Sequence, residues 1–131
     1  MKRNILLIFL SLGIAALFAC QQSPQEFGII EGHVTIGPLT PVVQAGAPEP
    51  TPSPEMYADR EIVIFMENGI LEFTRIQIDS KGDYHAELPV GTYVVDINHL
   101  GVDLAKDLPK KIVISSQGTI RLDINIDTGI R

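Results

Sequence analysis

With 131 residues, 10 basic and 16 acidic side chains and a formal charge of -6, the chain has room for one domain and an acidic surface. Such a surface repels phosphate backbones, which argues against nucleic acid as a partner. Three tyrosines, five phenylalanines and no tryptophan leave few rings for stacking on sugars or bases, and a single cysteine excludes an internal disulfide.

Met1-Lys2-Arg3-Asn4 is a short positive start, followed by an apolar run from Ile5 to Ala19 that only Ser11 and Gly13 interrupt. About 15 apolar residues suit the hydrophobic region of a secretory signal and fall short of the roughly 20 that a spanning helix needs. The run closes on Leu17-Phe18-Ala19-Cys20, which resembles the lipobox of bacterial lipoproteins. That resemblance implies a signal peptide over residues 1–19, cut just before a cysteine that has received a diacylglyceryl group, and a tether over residues 20–26. Cys20 is then the lipid-attachment residue. Two or more acyl chains such as palmitate, at about 0.8 kcal/mol per buried methylene, anchor a protein stably. Gln21 is not the aspartate that resembles an inner-membrane retention signal, so the expected address is the bacterial cell envelope, at the outer membrane where the organism has one. Without Lys2 and Arg3 the mature chain keeps 8 basic against 16 acidic residues.

Phe27 to Gly37 reads as the first strand, with Ile30, Val34 and Ile36 apolar and Gly28, Gly32 and Gly37 marking bends or bulges. From Pro38 to Ala58 the composition shifts: six prolines, at 38, 41, 48, 50, 52 and 54, deny a sheet its N–H donors and favour extended conformation. This segment is expected to be a long loop between the first two strands. Arg60 to Met66 is apolar on both faces and predicts a central, covered strand. Asn68-Gly69 then marks a hairpin, and Ile70 to Ile78 alternates with a phase change near Arg75 that predicts a bulge.

In the stretch Asp79 to Ile97, Tyr84, Ala86 and Leu88 alternate with polar residues, and Thr92 to Ile97 is again β-branched and aromatic. The pattern predicts a β-hairpin across Pro89-Val90-Gly91, with Gly82 and Gly91 at turn positions of positive φ. After an irregular connection, Lys110 to Ser115 and Thr119 to Asp127 complete seven strands, the last alternating cleanly through Ile120, Leu122, Ile124 and Ile126.

The strings Asp79-x-x-Gly82-x-Tyr84 and Leu88-Pro89-x-Gly91-Thr92-Tyr93-x-Val95 resemble the carboxypeptidase regulatory-like domains, which are small transthyretin-like or prealbumin-like β-sandwiches, and more distantly the Cna-B-type repeats of surface adhesins. The resemblance implies an all-β, seven-stranded, prealbumin-like (Ig-like) β-sandwich over residues 27–131. It also implies a module without catalysis of its own, working beside other proteins at the cell surface.

The residues themselves offer little chemistry. His33, His85 and His99 fall on different strands or loops, and none has a partner at metal-ligand spacing such as His-x-x-x-His. The transthyretin fold also hosts a hydrolase that relies on histidines, an arginine and a Tyr-Arg-Gly-Ser ending, but this chain ends Asp127-Thr-Gly-Ile-Arg131. No nucleophile is set beside a base, so no catalytic residue, cofactor or metal is expected. Asp79-x-x-Gly82-Asp83 carries part of a calcium loop but lacks the further oxygen ligands and a closing glutamate, which leaves a plain turn capped by an aspartate. Cna-B-type domains often carry a Lys-Asn isopeptide bond; Asn125 with Asp96 or Glu87 could serve, but the first strand offers no lysine. The expected function is therefore a non-enzymatic, membrane-anchored lipoprotein serving as a binding or structural accessory module, with an envelope protein or a glycan as partner. A carbohydrate-binding module using Tyr57, Tyr84 or Tyr93 is the alternative, ahead of a transthyretin-like hydrolase.

Overall fold

A computed structural model of the chain describes residues 22–131. The expected signal peptide and the lipid-attachment residue Cys20 lie outside the described residues. Among the described residues, nine strand segments and one short helix follow in the order β1 (Phe27–Gly37), α1 (Pro54–Ala58), β2 (Glu61–Met66), β3 (Glu72–Gln77), β4 (Asp83–Pro89), β5 (Gly91–Ile97), β6 (Leu104–Ala105), β7 (Lys110–Ile114), β8 (Thr119–Arg121) and β9 (Ile124–Asp127). They form two sheets. The first has the order β4-β1-β9-β6, with β8 also paired to β1; the second has the order β3-β2-β5-β7. The described residues form an all-β sandwich of two sheets.

Strand β1 holds the first sheet together because its two edges take different partners. Along one edge it pairs antiparallel with β4, from Phe27↔Pro89 to His33↔Asp83. Along the other it runs parallel first to β8, at Ile29–Glu31, and then to β9, at Val34–Gly37. Its inward residues Ile30 and Val34 are fully buried and meet Ile62, Ile64, Val95 and Ile114 of the second sheet in one core. Each such side chain contributes roughly 1.5–3 kcal/mol when removed from water. Strand β2 lies between β3 and β5, and Ile62, Val63 and Ile64 are all buried, as expected of a central strand.

Three expectations need correction. The stretch Tyr84 to Ile97 is not a hairpin: β4 belongs to the first sheet and β5 to the second, so Pro89-Val90-Gly91 is a corner between the layers. Pro89 has no N–H for the closing pair of a two-residue hairpin, and the alternation of both strands is satisfied equally well across the core. The corner is instead locked by a tyrosine-corner contact, in which the Tyr93 hydroxyl donates to the Pro89 carbonyl at 2.8 Å, while Val90 N–H donates to the Glu26 carbonyl at 2.9 Å. Gly82, at φ 90°, and Gly91, at φ 158°, both have the positive φ expected of them, although Gly91 serves a corner between the sheets and not a hairpin turn.

The strand count rises from seven to nine. The run Thr119 to Asp127 breaks at Leu122-Asp123 into β8 and β9, and Leu104–Ala105 adds a two-residue strand beside β9. The break costs no inward residue, because Leu122, Ile124 and Ile126 all remain buried. The third difference lies in the proline-rich loop, whose last residues form α1, with Pro54 in the first turn, where its missing N–H is no loss. The predicted bulge is present as a register shift between Ile64 and Phe65 opposite Phe73, two residues before Arg75.

Candidate functional site

The strand registers sort every connection to one of two ends. At the Gly37 end of β1 lie the loop 38–53, α1, the turn 78–82, the connection 98–109 and the residues after β9. At the Phe27 end lie the tether, the turn 67–71, the Pro89 corner and the turn 115–118. The first end carries the longest loops and a wide groove, and it is the candidate site.

That loop end is built around two anchors. Tyr57, on α1, is 6% exposed and packs into the core, so the end of the proline-rich loop is held down. Arg60, just after the helix, reaches across to Asp103 in the 98–109 connection: Nε donates to Oδ2 at 2.8 Å and Nη2 to Oδ1 at 3.2 Å, while Nη1 donates to the Met56 carbonyl at 2.9 Å. The pair is 11% and 5% exposed at the side chains. Fork geometry and a third acceptor compensate much of the cost of taking both charges out of water. Asn98 adds a second tie, its amide donating to the Asp59 carbonyl at 3.0 Å. Between the anchored loop and the outer face of β1 and β9 runs a groove of about 670 Å3, lined by His33, Thr35, Glu49, Tyr57, Asn125 and Asp127.

The outer face of the first sheet is polar through cross-strand pairs rather than through a reactive cluster. His33 Nδ1 lies 2.7 Å from Asp83 Oδ1 in directly opposed positions, and His85 Nδ1 lies 3.6 Å from Glu31 Oε2 one pair further along. Asp123 accepts from the His33 backbone N–H at 2.8 Å and pairs with Arg121, contacts that hold its carboxyl below the usual range. His99 stands apart on the second sheet's loop, with Nε2 at 3.0 Å from Asp96 Oδ1 and Nδ1 at 3.1 Å from the Asp103 carbonyl. The backbone contact, followed by Asp96, raises its pKa above 6.5. The three histidines therefore sit in three separate pairs. Among the described residues no group of three or more His, Cys, Asp or Glu side chains could hold a metal ion.

The other sequence candidates fall into structural positions. Asp79 Oδ1 accepts from the N–H groups of Lys81, at 2.8 Å, and Asp83, at 2.9 Å, with Asp83 N–H the larger influence in lowering its pKa. This is a turn capped by its own aspartate. Asn125 on β9 lies toward the Gly37 end, opposite Thr35, whereas Glu87 lies opposite Ile29 and Asp96 sits in the second sheet, so an isopeptide constellation is not assembled. Tyr57, Tyr84 and Tyr93 are 6%, 4% and 4% exposed. The Tyr84 hydroxyl donates to the Leu122 carbonyl, and burial pushes its pKa far up. Their rings are thus largely buried in the core, and only Tyr57 of the three also lines the groove. Sequence reading missed Arg60 and Asp103, 43 residues apart, since nothing in their local spacing announces a pair.

No family model matches the chain, and no curated protein matches it. Among solved structures, the minor pilin GBS52 of Streptococcus agalactiae is similar over 79% of this chain and 45% of its own length, with 14% identity and a TM-score of 0.52. A DUF3823 family protein of Parabacteroides merdae is similar over 78% of this chain and 46% of its own, with 10% identity and a TM-score of 0.47. The chain thus spans less than half the length of either. At this identity the pilin likeness establishes the β-sandwich fold alone.

Proposed function

We propose that this chain is a non-enzymatic lipoprotein of the bacterial cell envelope, in which a carboxypeptidase regulatory-like sandwich is tethered to the membrane through acylated Cys20 and offers its loop end to an envelope protein. The observation that carries the reading is positional: the sole cysteine closes an apolar run of signal-peptide length and stands seven residues before β1. The loop end lies at the far end of β1 from that tether. A partner in the envelope would therefore meet the loop 38–53 and the 98–109 connection, which the Arg60–Asp103 pair ties into one surface. A sandwich shared with a minor pilin is in keeping with a surface module. Burial of the tyrosines favours a protein partner over a glycan.

Changing Cys20→Ser tests the anchor. The wild-type N-terminus should carry an acyl mass, and the variant should move from the membrane pellet to the soluble fraction. Unchanged pelleting together with an unacylated wild-type N-terminus would overturn the reading.

A further inference from the structure

The end of the sandwich from which the tether leaves carries a rim of exposed apolar side chains. Ile70 is 82% exposed, Leu71 62%, Phe27 and Val90 46% each, and Phe73 42%. They are connected through the fold. The Phe73 ring packs on Tyr93 with centroids 5.4 Å apart, the Tyr93 hydroxyl holds the Pro89 carbonyl beside Val90, and Pro89 is the register partner of Phe27. Ile70 and Leu71 project from a turn that is itself rigid, because Asn68 Oδ1 accepts both of their N–H groups, at 2.9 and 3.1 Å. Apolar side chains fixed at the tip of a hairpin are a costly surface to leave in water.

We infer that this rim rests on the lipid surface, with Ile70 and Leu71 entering the boundary between headgroups and acyl chains. The inference depends on the anchor at Cys20 proposed above. Seven residues at no more than about 3.5 Å each let Phe27 stand at most about 25 Å from that residue. The tether therefore keeps this end nearer the bilayer than the loop end, which lies at the other end of β1. Three carboxylates stand beside the rim, Glu26, Glu67 and Glu72; Glu67 pairs with Lys111 at 3.6 Å and Glu72 with Arg75 at 2.7 Å, which leaves a small acidic excess. The surface that fits is accordingly a zwitterionic one, and anionic lipid should weaken the contact at low salt.

Matched exposure at the opposite end supplies the control, since Val102 is 69% exposed beside Gly129, which follows β9. Full-length lipidated protein carrying Leu71→Cys or Val102→Cys is labelled with an environment-sensitive fluorophore, Cys20 being blocked by its thioether. It is then reconstituted in phosphatidylcholine vesicles containing a lipid-borne quencher. Quenching should be roughly threefold greater at 71 than at 102, as for a side chain at the headgroup boundary, and should fall when phosphatidylglycerol is added. Ile70→Cys repeats the measurement should Leu71→Cys fail to give the wild-type circular dichroism. Protein that floats with the vesicles but shows equal quenching at both sites overturns the inference and leaves the anchor standing. Protein that neither floats nor carries an acyl mass overturns both. A probe at 71 that is shielded in native membranes but unquenched in the vesicles means that an envelope protein covers the rim, which also overturns the inference.

Discussion

Gly32 shows how one missing side chain permits the parallel edge of β1. A Cβ built there would stand 2.0 Å from the Leu122 carbonyl oxygen, in the break between β8 and β9, where Leu122 N–H donates to the Glu31 carbonyl at 2.9 Å. The obstacle is backbone that cannot turn aside. Gly32→Ala should cost about 1–3 kcal/mol and lower Tm by roughly 5–15 °C. Gly37→Ala, with nothing within 4 Å of its added Cβ, should melt as wild type does. Equal melting of the two variants would mean that the approach of Leu122 does not depend on Gly32. His99 gives a second prediction at this scale. Imidazolium can donate to both the Asp103 carbonyl and Asp96, so its folded pKa lies above 6.5. A raised folded pKa adds stability that is complete below the unfolded value and is lost as pH rises through the folded one. The stability difference between wild type and His99→Gln should therefore shrink from about pH 6 to 8, as read from urea midpoints. A constant difference would place the His99 contribution outside its titration.

The elements are held together by contacts that act between them. Helix α1 has only five residues and no side-chain cap, too short to persist by its own hydrogen bonds. It is kept by Tyr57 in the core and by Arg60, which joins it to the 98–109 connection. Asp103→Ala would leave the guanidinium buried and unpaired, a loss of about 3–5 kcal/mol. Replacing both partners, Arg60→Met with Asp103→Leu, should recover much of that stability, because the desolvation cost disappears with the charges. Chemical denaturation of the three proteins checks the order wild type, double variant, single variant. A single variant as stable as wild type would show that the pair is not buried in solution.

For the whole molecule, the two ends of the sandwich differ in their loops, and the function proposed above assigns the proline-rich loop to the end offered to a partner. Its exposed stretch makes few core contacts, and the energy of closing a loop changes slowly with length. Replacing residues 40–49 with a short Gly-Ser turn, keeping Leu39 and α1, should preserve the β-type circular dichroism and a cooperative melt. Recovery of the envelope partner in a pull-down should fall several-fold, since prolines lower the entropy lost when such a loop is recognised. Undiminished recovery would reduce the loop to a spacer.

From residue order alone, the all-β class, the Asn68-Gly69 hairpin, the aspartate-capped Gly82 turn and the covered nature of β2 were all legible. Each depends on neighbours a few positions away: a period of two, a positive φ, a carboxylate beside its own N–H groups. What needed the tertiary structure was which strands lie side by side. Tyr84–Leu88 and Tyr93–Ile97 bury alternate residues whether they pair with each other or face one another across the core, so the pattern cannot tell a hairpin from a corner. Nor does local spacing show that Tyr57, Tyr84 and Tyr93 are buried, that Arg60 meets Asp103, or that Gly32 admits the Leu122 carbonyl. The Gly32 contact arises only when β1 accepts parallel partners from the far end of the chain, and the others only when the two sheets and their loops meet, because burial and pairing are properties of surfaces that come together in space.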